Sequence, residues 1–230
     1  MRADACGVTV SPLRLLISLA ALAVFAAGCG SSSSTPPSQP APKVSAGQLA
    51  QDQVIKMVLA DGDLSGFSVH STGVETLKDQ LPPRRTPGYA AIVRTVKASW
   101  LASEHSDMIS ADGQVQLLSD ANLFRSEAAM RRIWHLERIR VPGVRVKEYR
   151  PPAGSPAGSR LVYSNDGSHA GFQFSWPQGR VIGVTLLFAR PTDRFTPLGI
   201  RRISTLLATA ATAQARRIAT AEGGSSDSTA

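Results

Sequence analysis

Cysteine is almost absent from this chain, with Cys6 and Cys29 the only two in 230 residues. Their spacing matches neither a CxxC redox pair nor the paired ligands of a zinc site, which removes cysteine-based redox and metal chemistry from consideration. Catalytic signatures are missing as well: there is no GxSxG nucleophile elbow, no phosphate-cradling Gly-Lys-Ser/Thr loop and no HExxH helix. No internal repeat period is present. No stretch holds more than two adjacent basic residues, although the chain is basic, with 25 Lys+Arg against 17 Asp+Glu. The one long apolar run, residues 15–25, is interrupted only by Ser18 and is too short to span a bilayer comfortably as a helix.

That run stands where an export signal stands. Arg2 and Arg14 precede it, Asp4 partly offsets them, and Ala26-Ala27-Gly28-Cys29 ends it with small residues able to lie extended in a peptidase groove. Residues 1–28 therefore read as a signal peptide cut before Cys29. The run and its ending resemble the lipobox of bacterial lipoproteins, in which the cysteine after the cut carries a lipid. The resemblance implies a diacylglyceryl group on the Cys29 sulfur, sometimes with an amide-linked third chain. A single acyl chain holds a membrane only marginally, whereas two or three hold it stably. Ala26 stands where lipoboxes most often have leucine, and the same small residues also suit ordinary signal peptidase or, left uncut, an N-terminal anchor. All three routes export the domain to the extracytoplasmic face of the membrane.

Without residues 1–28, Cys29 is the only cysteine, so no internal disulfide can form and stability must come from packing. The charge becomes 23 basic against 16 acidic residues, or +7. Outside the cytoplasm the abundant polyanions are lipid headgroups and wall polymers, which a basic face would meet. Nucleic acid is not an expected partner there. The other reading of the charge is a solvated, soluble surface.

Gly30 and the four serines after it, followed by Thr35-Pro36-Pro37-Ser38-Gln39-Pro40-Ala41-Pro42, make residues 29–42 a tether, flexible through serine and extended through proline. Residues 43–221 are one domain's worth of chain, and 222–230 read as a disordered tail. Within the domain, Ser45 with Gln48 predicts a capped helix to about Ala60, stopped by Asp61-Gly62-Asp63. Residues 66–77 read as extended, 81–87 as a proline-basic loop, and Tyr89, Ile92, Val93, Val96 and Trp100 as a second helix. The pair Asp112-Gly113 predicts a hairpin between strands 104–110 and 114–119. Asp120 is expected to cap a third helix over 121–140, ended by Val141-Pro142-Gly143.

A short extended piece at 144–150 and a Pro/Gly loop at 151–159 precede three strands, 160–164, 171–176 and 180–189, joined at Asn165-Asp166-Gly167 and Pro177-Gln178-Gly179. This is an antiparallel meander. Thr196-Pro197 opens a final helix with Ile203, Leu206, Leu207, Ala210, Gln214 and Ile218 along its apolar side. The expected fold class is α+β, an antiparallel sheet of hairpins plus the meander, with helices packed mainly on one face and the long C-terminal helix lying across it.

Three stretches carry a further resemblance: residues 57–67 (Met57-Val58-Leu59-Ala60-Asp61-Gly62-Asp63-Leu64-Ser65-Gly66-Phe67), Asn122-Leu123-Phe124-Arg125-Ser126, and Trp176 to Val184 around Gly179. They are similar to landmarks of uncharacterised actinobacterial lipoproteins, in which a leucine-rich helix ends in an Asp-Leu-Pro-Gly-Phe-like turn and a late hairpin precedes an Ala/Arg-rich helix like Ala213-Gln214-Ala215-Arg216-Arg217-Ile218. Ser65 stands where those proteins often have proline. The resemblance implies a Mog1/PsbP-like α+β build, and a fold of that kind does not by itself specify an activity.

Candidate sites are few. Asp61-Gly62-Asp63-Leu64-Ser65-Gly66 opens like an EF-hand loop, with Asp61, Asp63 and Ser65 as candidate calcium ligands. Its eighth and twelfth positions, Ser68 and Thr72, lack the apolar residue and the closing glutamate of that motif. A plain helix stop and turn is the competing reading. Asp107, Asp112, Asp120 and Glu127 are the one local concentration of acids; paired carboxylates across a cleft would suit glycoside hydrolysis, and hairpin flanks plus a helix cap explain the same residues without catalysis. Ser168 and His169, adjacent in a turn, point apart and make no nucleophile–base pair. His70, His105 and His135 are scattered singly and read as surface or half-buried residues. Trp100, Trp134 and Trp176 fall at expected core positions, the alternative being a pocket lining for an apolar or sugar ligand. No cofactor is expected. Two functions follow: a non-catalytic, membrane-tethered envelope domain binding an envelope protein or a small lipid or wall ligand on a sheet face free of helices, or an envelope hydrolase using the carboxylates between Asp107 and Glu127.

Overall fold

The computed structural model describes residues 45–81, 84, 86–136, 143–190 and 192–223. The expected signal peptide, Cys29 and the expected tether, the expected helix end at Val141-Pro142 and the expected tail beyond 223 lie outside the described residues. Seven strands run β1 (Phe67–Val74), β2 (Trp100–Ser110), β3 (Gln116–Phe124), β4 (Arg145–Tyr149), β5 (Arg160–Asn165), β6 (Ala170–Gln178) and β7 (Val181–Ala189). They form one sheet in the order β1-β2-β3-β7-β6-β5-β4, with every neighbouring pair antiparallel. Two meanders are thus joined where β3 pairs with β7. The fold is α+β, and the expected meander is the β5–β6–β7 half of it.

Four helices complete the domain: α1 (Ala46–Val54), α2 (Tyr89–Ser99), α3 (Glu127–Leu136) and α4 (Pro197–Gly223). Ser45 caps α1, its Oγ accepting the Gln48 amide at 3.1 Å, while the Gln48 side chain turns forward to Asp52 instead of back to the cap. A 3-10 turn, Ile55–Met57, carries the chain from α1 into the sheet. Thr196 caps α4 by accepting the Gly199 amide at 3.1 Å. Ser204, Leu207, Ala211, Gln214 and Ile218 recur every three or four residues on its buried side, so α4 lies on β6 and β7. It runs two residues past the expected end at 221, and Glu222 accepts the Arg180 amide at 3.0 Å.

The larger core lies between the sheet and α1 and α4. Trp176, Phe172, Phe174, Met57, Leu59 and Leu207 are fully buried there. Gly183 is opposite Trp176 on the neighbouring strand because a Cβ at that position would collide with the indole ring. Beneath the helices a row of small hydroxyls crosses three strands, Ser106 opposite Ser119 and Ser119 opposite Thr185. Ser119 Oγ accepts the Leu59 amide at 3.0 Å and Thr185 donates to the Leu207 carbonyl, so backbone that enters the core finds partners there. A smaller cluster on the opposite face packs Ala129, Met130, Ile133 and Trp134 of α3 against Phe124, Ile182 and Val184, with Trp100 alongside. The three tryptophans are therefore core residues, Trp176 in the large cluster and the other two in the small one.

Several sequence expectations change: the first helix and its 3-10 turn end at Met57 instead of near Ala60, Trp100 opens β2 instead of lying on α2, and the largest change is at β3. Residues 121–124 are the end of β3, not the start of a helix, and α3 begins only at Glu127. Ser126 takes the capping role, accepting the Ala129 amide at 3.1 Å. Asp120 caps nothing: it sits mid-strand and fully buried, because β3 is the interior strand between β2 and β7 and is covered on both faces.

Candidate functional site

The carboxylates between Asp107 and Glu127 are not brought together. Asp112 sits in the β2–β3 turn, where its Oδ1 accepts the Ser110 hydroxyl at 2.6 Å and the Gln114 amide at 3.0 Å, and these bonds hold its carboxyl below the usual range. Glu127 opens α3 and pairs with Arg131 one turn on, both exposed. Asp107 accepts the Ser71 hydroxyl at 3.0 Å across the β1–β2 pair.

Asp120 gathers a different set of companions. His105 lies directly opposite it on β2, Ser103 lies opposite Asn122, and Glu75 follows the end of β1, its amide bonded to the Ser103 carbonyl. Ser103 Oγ is 3.2 Å from Glu75 Oε2 and 3.2 Å from Asp120 Oδ1. Gln80 donates to Glu75 Oε2 at 2.6 Å, Asn122 donates to Asp120 Oδ2 at 3.2 Å, and His105 Nδ1 stands 3.5 Å from Glu75 Oε1. All six residues are buried, Glu75 to 2 % and Asp120 to 0 % exposure. From the other face of the sheet, Gln214 of α4 donates to the Asp120 carbonyl at 2.8 Å. Burial pushes the Asp120 carboxyl well above the usual carboxylate range and the Glu75 charge pushes the same way, against the pull of His105, Asn122 and Ser103.

Chemically this cluster can hold a proton and pass it along a short chain. It presents no carboxylate to a substrate, since the space between the two acids is filled by the Ser103 hydroxyl and both are out of solvent. Glycoside hydrolysis asks for two carboxyls flanking an open cleft. Sequence reasoning left Glu75 and Gln80 unassigned and treated His105 as surface or half-buried, whereas its ring is buried over Gly73, where a Cβ would come within 2.6 Å of Cε1. The other histidines stay outside this cluster: His70 and His135 are exposed, and His169 lies in the β5–β6 turn, its amide held by Asp166.

The Asp61-Gly62-Asp63 segment is a turn whose carboxylates are already engaged. Asp61 Oδ1 accepts the Val69 amide at 2.7 Å, Asp63 Oδ2 accepts the Ala60 amide at 2.7 Å and Arg217 Nη1 at 3.1 Å, and Ser65 is exposed. The guanidinium of Arg217 stands where a cation's charge would have to go. Among the described residues no group of three or more His, Cys, Asp or Glu side chains is placed to hold a metal ion.

That same turn borders a groove of about 1080 Å3 between α1 and α4, at the upper end of small-ligand site volumes. Leu49, Asp52 and Lys56 line one wall and Ala213, Arg216 and Arg217 the other. Arg217 is tied to Asp63 and to the Lys56 carbonyl. Lys56 and Arg216 are exposed and enter no ion pair among the described residues.

The chain matches no family model, no curated protein and no solved structure. Its function must be argued from the residues themselves. No helix among the described residues is long and apolar enough to cross a membrane.

Proposed function

We propose that this chain is a lipid-tethered extracytoplasmic domain of the cell envelope, non-catalytic, which binds an anionic envelope component in the groove between α1 and α4. The sheet faces are less suited to that role than a bare sheet would be: α1 and α4 cover one, and α3 packs on the other. The observation that carries the reading is that α1, the first described helix, forms one wall of the groove. In the sequence α1 begins at Ala46, four residues after the Ser/Pro tract ends at Pro42, and this helix is itself a groove wall. At 1.5 Å per residue α1 is only about 13 Å long, so a lipid on Cys29 would keep the groove near the membrane. Two cations without acidic partners among the described residues, Lys56 and Arg216, line the groove and would complement headgroup or wall-polymer phosphates.

The envelope-hydrolase reading gains no site from the arrangement of Asp107, Asp112, Asp120 and Glu127. Cell fractionation of Cys29→Ser tests the anchoring. The variant is expected in the soluble fraction and free of fatty-acid label, and unchanged partition with unchanged labelling would overturn the tether. Groove binding is read separately on the released protein, by sedimentation with phosphatidylglycerol vesicles. Lys56→Glu with Arg216→Glu is expected to cut the bound fraction several-fold at low salt, and equal binding by the double variant sinks the groove assignment.

A further inference from the structure

Helix α4 borders a second recess besides the groove it shares with α1. A trough of about 410 Å3 lies between α4, the end of β6 and the loop 151–159. Its lining is mostly apolar, with Pro156 and Ala157 on the loop side, Trp176 and Pro177 at the floor, and Ala215 and Ala219 on the helix. The polar side chains at its margin are engaged within the protein. Thr212 Oγ1 donates to the Ala208 carbonyl at 2.8 Å, Gln178 Nε2 donates to the Ala215 carbonyl at 2.9 Å, and Trp176 Nε1 donates to Gln178 Oε1 at 3.4 Å. The free surface of the trough therefore offers an occupant chiefly carbon.

The loop wall is built to keep its shape. Pro152-Ala153-Gly154-Ser155 and Pro156-Ala157-Gly158-Ser159 are successive turns of the same sequence, each with glycine at positive φ in the third position. In each, the serine amide and hydroxyl both donate to the proline carbonyl. Gly158 also packs against Pro177, where a Cβ would come within 3.2 Å of the ring. A wall fixed before binding has little freedom left to lose on it.

One residue belongs to both recesses. Positions 212, 215, 216 and 219 of α4 border the trough, and positions 213, 216, 217 and 220 border the groove. Both sets follow the helical period, so they are adjacent faces of one helix that meet at Arg216. Arg216 is exposed and enters no ion pair among the described residues, and Lys56 across the groove is in the same condition. We propose that the trough takes an acyl chain of an anionic phospholipid whose phosphate is held in the groove by Arg216 and Lys56. This rests on the groove reading above and names its ligand class. A carbon-lined trough bordered by an unpaired cation answers both parts of such a molecule, the uncharged chain and the negative headgroup. The diacylglyceryl group expected on Cys29 is uncharged and would leave Arg216 unanswered, as would an apolar side chain of a protein partner.

Titration calorimetry of octyl, decyl and dodecyl phosphate, each below its micelle concentration, into the released Cys29→Ser protein tests this. Affinity is expected to rise by up to about fourfold per added methylene, and decyl trimethylammonium to bind far more weakly than decyl phosphate. Ala157→Trp and Ala219→Trp each put a ring into the trough from an exposed position, and either should flatten the chain-length slope. Lys56→Glu with Arg216→Glu should instead weaken all three alkyl phosphates together. A flat wild-type slope, a slope kept by both tryptophan variants, or equal binding of the two decyl headgroups overturns the proposal. So does a wild-type dimer that Ala219→Trp dissociates and no alkyl phosphate disturbs, which would give the trough to a second copy. After a flat slope, vesicle sedimentation that still responds to Lys56 and Arg216 leaves the groove reading standing, whereas sedimentation indifferent to them sinks both.

Discussion

Along β3, Leu117, Ser119, Ala121 and Leu123 face α1 and α4 while Leu118, Asp120, Asn122 and Phe124 face the other way, and all eight are buried. On the first side β3 itself contributes one polar side chain, Ser119, whose hydroxyl serves a backbone amide, and the bulk is Trp176, Phe172, Phe174 and leucine. On the second side the centre of the strand is a carboxylic acid, an amide, a histidine from β2 and a glutamate from beyond β1. Equal burial thus rests on two kinds of physics. Apolar area removed from water stabilises at any pH. A buried acid network stabilises only in the protonation state that satisfies every member, and an unmatched polar group there costs ~1–3 kcal/mol.

Removing a ring from the apolar face should produce the largest effect and no pH signature. Phe172 is fully buried and packs with Tyr163 and Phe195 at ring separations of 4.9 and 5.0 Å. Phe172→Ala is expected to cost ~3–5 kcal/mol through lost transfer energy and a residual cavity. Urea unfolding at pH 5 and pH 8 checks this, and the loss should be the same at both. A loss that differs markedly between the two would break the division between the faces.

Much of the apolar face was legible in the sequence, and the polar face was not. Residues 160–189 alternate in strands broken by Asn165-Asp166-Gly167 and by Gly179, and the structure places β5, β6 and β7 within two residues of those expectations. Thr196-Pro197 marked the start of α4 because a cap and a first-turn proline are local features. The polar face depends on register. A hairpin centred on Asp112-Gly113 already places His105 opposite Asp120, but an aspartate ahead of apolar residues spaced as Leu123, Phe124 and Ala128 reads equally as a helix cap. That pattern is shared by a strand buried on both faces and the helix after it, which period alone cannot separate. Glu75 carried no signal at all, since Ser103 lies 28 residues from it and Asp120 a further 17 beyond Ser103, and only the fold joins the three.

A milder version of the acid effect lies on the helix-covered side, where it sharpens the comparison. Glu104 is buried on β2 and accepts Gln51 of α1 at 2.9 Å. Burial raises its carboxyl above the ordinary value, against the His105 charge and the Gln51 bond. The folded form therefore binds this proton more tightly than the unfolded chain, so stability falls as pH rises through the folded value. Glu104→Gln, which can still accept from Gln51, is expected to raise the melting temperature modestly at pH 8 and little at pH 5. A drop at pH 8 would mean that the charge itself holds α1 in place.

The smallest effect belongs to the exposed end of the same hairpin, and its sign is reversed. Asp112 is held low by the Ser110 hydroxyl and the Gln114 amide, both of which favour the carboxylate. Its stabilising contribution is present above the unfolded-state value near 4 and fades as pH falls through the lower folded value. Asp112→Ala should lower the melting temperature slightly at pH 7 and converge with the wild type at the acid end, where the carboxylate is lost from both states. Raising the pH thus strengthens the turn and weakens the buried acids only a few residues away on β2 and β3. Opposite slopes for Asp112→Ala and Glu104→Gln, measured in one set of melts, would show that burial and not sequence neighbourhood sets the sign of each carboxylate's contribution.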